Sequence, residues 1–551
     1  MSPNKPIRPV SRVRNTLARA NQRFSLQLAA SLLAASTLLS SLLGFFRDRL
    51  LNSTYFETYP QGLDAYTVAF IIPDFMFFVL VSGALSVTFI PVFNERLTHH
   101  NKKSAWELST SLMNVLAIVA LVVSVLIVIF AEPLVNLVAP GMDEDARALA
   151  ISLMRVIAVN PFLFAVSSVI ASMQQAVGRF TFFALAPIFY NAGIIIGIVW
   201  FTNGINLFGI QLFEGGIMGV ALGVVLGSIL QLVTSVIGLI GMGFDYRFKV
   251  FWKNVGFRQV LKLLPARSFD QGIDYFNNIV EVNLASRFQA GAIRAYQQVT
   301  TLHMVPINLI GVAISTAAFP QMTERLSQGR PDLFRKELQT VLRVIIWLTM
   351  PVAAITYFAR GYVVSILFVG GNPVVAGLLS ILAIAILFRS VYHISARSFY
   401  AQQDTKTPLY ISLFTISLNI ALAIYFTMQA GLGIYGLAWA QVIVAILEVL
   451  ILFFIMSHRI PKLFDAQFFH ALWRMVMATA IMSIVTYITV KLFDLSSTDQ
   501  SLAAILPKFT LIVIASFAAY IALCRLLRLE EVNPVISRLK KFLLFEAREK
   551  R

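Results

Sequence analysis

Read from its N-terminus, the chain is a succession of apolar runs separated by short polar connections, from Phe24 to beyond Leu526. Each run has about 20 residues, the length at which a helix crosses a hydrocarbon core of roughly 30 Å, and about 14 of them can be counted. The pattern predicts an all-α polytopic membrane protein. Pro73 falls inside the second long run, where a proline bends a helix and frees a carbonyl.

The connections alternate in charge. The N-terminal tail, FNERLTHHNKKSAW, QQAVGRF, DYRFKVFWKNVGFRQVLK, TERLSQGRPDLFRKELQ, AQQDTKTP, SHRIPK and the C-terminal tail are basic, whereas LNSTYFETYPQGLD, APGMDEDARA, FVGGNP and FDLSSTDQSL between them are neutral or acidic. The positive-inside rule places the basic set, and with it both termini, in the cytoplasm and makes the number of spans even. FQAGA, flanked by Arg287 and Arg294, is the exception. The basic N-terminal tail enters an apolar run with no small-residue cleavage site, so the first span is expected to be retained.

Composition agrees: 58% of the 551 residues are hydrophobic and 13% charged, against about 25% charged in a soluble chain. The mean hydropathy is +0.78. A formal charge of +17 would suit nucleic acid, but its confinement to alternate connections makes it a topology signal, and no nucleic-acid partner is expected. Cys524 is the sole cysteine, which excludes an intrachain disulfide or a cysteine-based metal cluster. From about Val532 the tail alternates Ile, Leu and Phe with Arg and Lys. That suits either a helix on an anionic leaflet or a solvated basic tail.

One stretch is written twice. GALSVTFIPVFNERL and GVAISTAAFPQMTERL superpose Ala84 on Ala313, Ser86 on Ser315, Pro91 on Pro320, Glu95 on Glu324 and Arg96 on Arg325. QQAVGRF before Asn191 and QQDTKTP before Asn419 repeat at nearly the same offset, with Arg179 and Lys406 in corresponding places. The offset spans an even number of helices, so the copies face the same way, as in transporters built from parallel repeats with the cargo site between them. The expected organisation is a basic tail (1–24), a first lobe of six helices (25–242), a second of six (257–457), two extra helices (468–526) and a basic amphipathic tail (527–551). Duplicated bundles need not transport anything, so a non-transporting membrane scaffold stays open on this feature.

Charged residues inside the spans are costly and mark cavities or internal pairs. GFFRDRL brings Arg47, Asp48 and Arg49 to the end of the first run, and Asp64 and Asp74 follow in the second. Arg47 and Arg49 either serve a site or snorkel at the outer interface. In the seventh run Arg267, Asp270, Asp274 and Glu281 share one helical face, which lines a water-filled path or pairs internally. The eighth carries Arg294 and His303 before Pro306, and the tenth a basic stripe of Arg389, His393 and Arg397. Arg397 is expected to snorkel; Arg389, about 12 Å deeper at 1.5 Å per residue, suits phosphate oxygens. No Walker-type glycine loop, HExxH or GxSxG occurs, so the chain reads as a transporter and not an enzyme, driven by an ion gradient or the membrane potential, with no cofactor.

LGFFRD, LDAYTVAFIIPD, GALSVTFIPVF, RFTFFALAPIFYN, GVAISTAAFP and FYAQQDTKTP follow one another in an order that resembles the MurJ (MviN) lipid II flippase family of the MOP transporter superfamily. The resemblance implies two six-helix lobes in a V around a cationic cavity, with two further helices forming a groove for a lipid tail. It implies as cargo the undecaprenyl-pyrophosphate-linked peptidoglycan precursor, flipped outward across the bacterial cytoplasmic membrane beside the peptidoglycan-synthesis machinery. Only Arg47 of the family's cavity arginines carries over. Ser40 and Ser41 replace a Ser-Arg pair, Phe77, Phe78 and Ser82 stand at polar positions of the second helix, and Thr301 stands at or near another arginine. Arg267, Arg294, Arg389 and His393 are candidates to replace the lost charge, beside Asp48, Asp64, Asp74 and His303. A sodium site of the family would lie near Asp270, Asp274 and Asn419. The superfamily also leaves open another polyprenyl-linked saccharide, or a cationic compound exchanged for sodium or protons.

Overall fold

A computed structural model of the chain describes residues 26–82, 85–99, 101–207, 210–213, 215–496, 499–534 and 537; side chains at 26–27, 29–30, 82, 86–87, 205–207, 210–212 and 264–274 lie outside the description. The N-terminal tail and 538–551, half of the expected amphipathic tail, also fall outside it. The chain forms two compact units, 1–293 and 294–551.

The first unit runs through α1 (Leu26–Tyr55), α2 (Pro60–Phe77), α3 (Ile90–Thr98), α4 (Lys102–Ile129), α5 (Ala131–Val138), α6 (Glu144–Ile157), α7 (Asn160–Val177), α8 (Thr181–Val199), α9 (Ile217–Ile237) and α10 (Val255–Ala285). The second holds most of α11 (Ala292–Pro306), then α12 (Ala313–Ser327), α13 (Pro331–Phe358), α14 (Arg360–Leu367), α15 (Pro373–Ala401), α16 (Lys406–Ile424), α17 (Tyr435–Arg459), α18 (Ala466–Leu492) and α19 (Leu502–Leu526). Among the described residues 12 segments are long and apolar enough to cross a membrane. With α1 and the more polar α10, 30 and 31 residues long, they account for the runs counted in the sequence. One exception to the helical pattern is a short antiparallel hairpin, Ile205–Leu207 with Ile210–Phe213, between α8 and α9.

The repeated stretch has one shape in both units. Wide-turn π segments, Phe78–Ser82 and Leu85–Phe89 in the first and Ile307–Val312 in the second, precede the helix that carries Glu-Arg-Leu, α3 or α12. The second repeated motif is a clamp. Gln174 donates to Ser235 O at 2.8 Å and Arg179 to the carbonyls of Ile240 and Gly241, fastening the end of α9. In the second unit Gln402 reaches Met456 Sδ, while Asp404 pairs with Arg459 at the end of α17. The same junction is thus held in both units, by a cation on backbone carbonyls in the first and by an ion pair in the second.

Asp404 also caps α16, accepting from the N–H groups of Lys406 and Thr407 and from the Thr407 hydroxyl. The hydroxyl foremost, then the Thr407 N–H and Arg459, hold its carboxyl at about 2, below the ordinary carboxylate range. A depressed carboxyl stabilises the fold above its unfolded value and ceases to do so as pH falls through the folded one. Asp404→Ala is expected to cost about 1 kcal/mol at neutral pH, as loss of a helix cap does. The deficit should persist to mildly acid pH and shrink towards pH 2, read by thermal unfolding in detergent.

Small residues bring α8 and α9 together. A Cβ on Gly193 would fall 2.3 Å from Gly227 Cα, and one on Gly197 2.5 Å from Gly223 Cα, so the backbones touch at two successive turns. Between helices in lipid such contact is a main source of cohesion. Gly223→Leu is expected to wedge the pair apart and cost about 3 kcal/mol, the upper end for overpacking, visible as a lowered melting temperature. The second unit's core joins α13, α15, α17, α18 and α19 around Trp347, Phe399, Met475 and Tyr520. The Tyr520 hydroxyl donates to Trp347 O and the Trp347 indole N–H to Cys524 Sγ, which fixes the last helix on α13.

Helix α10, which the repeat assigns to the second lobe, packs in the first unit. Asn283 Nδ2 donates to Leu137 O at 2.7 Å, and Ser286 Oγ accepts from Gly141 N at 3.1 Å.

Candidate functional site

In the first unit the polar cluster is built on GFFRDRL. Arg47 is 24% exposed and does not snorkel outward: Nε and Nη2 donate to Asp48 Oδ1 at 3.2 and 3.0 Å, and Nη1 donates to Asn191 Oδ1 at 3.0 Å. Asn191 Nδ2 is in turn spent on Ser40 O and Oγ and on Pro187 O. The asparagine repeated in the sequence therefore braces α1 against α8 and aims the guanidinium. Tyr66 and Tyr190 lie within electrostatic reach of Arg47, and Asp74 within reach of Tyr190 and Tyr275. Asp74 is half-buried.

Phe77 and Phe78 stand where the resemblance places polar residues of the second helix, and both are packed on other rings. Phe78 stacks on Tyr275 with ring centroids 4.6 Å apart, and Phe77 meets Phe164, which meets Tyr190. The result is an aromatic wall in the unit that holds Arg47 and Asp74.

Asp64 plays a different part. Its buried Oδ2 accepts from Gly291 N at 2.7 Å, and Gly291 has φ +85°, a conformation suited to glycine. Asp64 thereby ties α2 to the FQAGA turn. Arg267, Asp270 and Asp274 lie on the α10 backbone, with side chains outside the described set. Glu281, farther along the same face, is buried and accepts from Asn277 at 3.0 Å.

In the second unit Arg294 is buried, and its fork meets Gln298 at 2.9 and 3.1 Å when the carboxamide is turned to accept. His303 is buried, its Nδ1 3.4 Å from Val299 O, within electrostatic reach of Arg389. Thr301 is exposed and donates to Gln297 O on its own helix. Arg389 is paired: Nη1 donates to Glu448 Oε2 at 3.2 Å, with side-chain exposures of 32% and 4%. Glu448 Oε1 also accepts from Ser412 at 3.3 Å and Thr415 at 3.1 Å, and Tyr392 contacts the Ser412 hydroxyl. His393 meets the Tyr392 ring edge-on and is half-buried. Asn419 is buried on α16, four residues from Thr415.

Arg397 departs from the expectation of snorkelling. It donates to Val312 O at 3.0 Å and to the Ser315 hydroxyl, where the π segment of the neighbouring helix passes into α12. Gly311 permits this, since a Cβ there would fall 2.6 Å from Ser390 Cα.

Two functional candidates escaped the sequence reading, Glu448 and Gln441. Both lie on one face of α17, seven residues apart, in an otherwise apolar helix. Gln441 donates to the Tyr296 hydroxyl at 2.6 Å, so the α17 stripe grips α11 and α15. The signal was a lone carboxylate inside an apolar run.

Comparison with known proteins bears on this arrangement. The family model described as "Lipid II flippase MurJ" matches residues 59–506. A curated relative from Thermotoga maritima, named probable lipid II flippase MurJ, is 26% identical over 510 residues, 91% of this chain and 97% of its own. A solved structure of lipid II flippase MurJ in an inward closed conformation is similar at a TM-score of 0.72 and 23% identity, covering 90% of this chain and 98% of that one. An inward-facing multidrug resistance MATE transporter of the MOP superfamily reaches 0.63 at 15% identity, over 82% and 99%. The last two are likenesses of fold.

Proposed function

The chain belongs to the lipid II flippase MurJ family, and on that premise we propose that it carries lipid II outward across the bacterial cytoplasmic membrane by alternating access. It is a multi-pass bacterial membrane protein with a lipid-linked precursor as its cargo, and a transporter in kind. The observation that carries the reading is a family match running through both units, from before α2 into α19.

Arg47 is proposed as the principal contact for the diphosphate. It is the family arginine this chain retains, and Asn191 and Asp48 already orient its fork, a geometry matched to phosphate oxygens. Arg389 gives Nη1 to Glu448 and is one-third exposed, so in the second unit an anionic cargo would share one cation with that carboxylate. Both termini are assigned to the cytoplasm from loop charge. An ion gradient or the membrane potential is proposed to supply the driving force, with Asp74 and the acidic face of α10 as the groups to test for sodium or proton coupling.

The experiment is complementation of a conditional MurJ-depleted bacterium, with export of labelled lipid II followed after depletion. Restored export is the expected result. Failure by a verified, membrane-inserted protein would transfer the proposal to another polyprenyl-linked cargo.

A further inference from the structure

The connection between α9 and α10 is laid along one face of α4. Asn114 donates to the carbonyls of Arg247 and Lys249 at 3.0 and 3.1 Å and accepts from the Tyr246 hydroxyl at 2.8 Å. Ser111 accepts from Phe251 N at 2.8 Å, and Asn254 donates to Ser104 O at 3.0 Å. Ser104, Ser111 and Asn114 share a helical face with Glu107. These bonds hold the connection as a strap of fixed course.

Between the strap and the end of α3 opens a cavity of about 950 Å³. Its wall carries Arg96, Lys103, Lys249 and Lys253 against the carboxylates Glu95 and Glu107. Arg96 lies over Gly256, where a Cβ would fall 2.5 Å from its Cζ. Its side chain is 14% exposed, its nearest carboxylate, Glu95, is 4.0 Å away, and its buried Nε has no partner among the described residues. The cavity is thus bordered by a fixed cation, whose Nη1 donates to Val92 O at 3.4 Å, and by three lysines against two carboxylates, a cationic excess that favours an anion.

The aromatic residues of the strap identify the source of that anion. Phe248 is 83% exposed and Trp252, which itself lines the cavity, 61%, each one residue before a cavity lysine. Aromatic rings alternating with lysines mark the membrane interface, and the positive charge of these connections marks its cytoplasmic side. A soluble anion would need the cations and not the rings.

We propose that this cavity binds the phosphodiester headgroup of an anionic phospholipid, whose acyl chains leave past Phe248 and Trp252. The site is distinct in residues from the Arg47 and Arg389 clusters and takes a lipid of the surrounding leaflet, not the transported cargo.

The test is thermal unfolding of the purified full-length protein in neutral detergent, titrated with dioleoylphosphatidylglycerol, dioleoylphosphatidylcholine or inorganic phosphate. The phosphatidylglycerol titration should raise the melting temperature saturably and the other two should not. The variant Lys103→Gln, Lys249→Gln, Lys253→Gln should need roughly a hundredfold more phosphatidylglycerol for the same shift, given the attraction of each of the three surface cations to anionic lipid. The pair Phe248→Ser, Trp252→Ser keeps every cation and should weaken the lipid response several-fold. Three results would overturn the proposal: identical titrations for wild type and the lysine variant, an equal shift with inorganic phosphate, or an unchanged lipid response in the Phe248, Trp252 pair.

Discussion

Glu448→Ala is expected to destabilise the protein by about 2–3 kcal/mol, somewhat below the 3–5 kcal/mol typical when one partner of a buried ion pair is removed. Glu448 is nearly sealed from solvent and receives hydrogen bonds from Arg389, Ser412 and Thr415. Truncation leaves three donors without their acceptor. The hydroxyls recover cheaply, since Thr415 already shares its proton with Ser412 O. The guanidinium does not recover as easily, but it is one-third exposed and rehydrates in part, which sets the discount. Arg389→Met with Glu448→Leu removes both charges and should regain most of the loss, because a buried pair is often no more stabilising than apolar groups of similar volume. Melting temperatures of the two variants in detergent decide the matter. A Glu448→Ala protein that melts with the wild type would show that the pair carries no load. A stable double variant that no longer restores export would assign the pair to transport.

The fold was legible because a bilayer makes element length and apolarity the same fact: a run of about 20 apolar residues can scarcely be anything but a spanning helix. The duplicated motifs were legible as well, although their reasons were not. That Asn191 would brace Arg47, or that Asp404 would meet Arg459, depends on which helices touch, and helical periodicity does not encode the neighbour. Arg389 makes the point most directly. Its depth and charge were readable from the tenth run, but its partner lies 59 residues further on, in a helix whose single carboxylate attracted no notice. Asp64 had the intramembrane position of a site residue and turned out to hold a backbone N–H across a turn. Arg397 was expected to snorkel because its depth was judged along its own helix, and the carbonyl and hydroxyl that hold it belong to another helix. The strap over α4 was hidden for a similar reason, since Ser104, Ser111 and Asn114 read as ordinary polar residues at a helix entry until the connection is seen lying across them.

Arg47→Ala is expected to lower lipid II export by roughly tenfold to a hundredfold, the rate equivalent of about 1.5–3 kcal/mol for a charge-assisted hydrogen bond made to the cargo. The difficulty is that Arg47 is also a brace: it satisfies Asp48 and ties α1 to Asn191 on α8. A fall in export alone would not separate the two parts. Asn191→Ala cuts the brace and leaves the cation, so under the proposed role it should retain a substantial share of export. Arg47→Lys keeps the charge without the planar fork and should fall between them, because a point charge cannot repeat a two-pronged contact with phosphate oxygens. Export of labelled lipid II in the depleted strain, normalised to membrane-inserted protein, ranks the three. The order Asn191→Ala, then Arg47→Lys, then Arg47→Ala from mildest to most severe assigns the guanidinium to the cargo. If Asn191→Ala proved as damaging as Arg47→Ala, Arg47 would be a structural tie between α1 and α8, and the diphosphate contact would have to be sought on α10, where Arg267 lies.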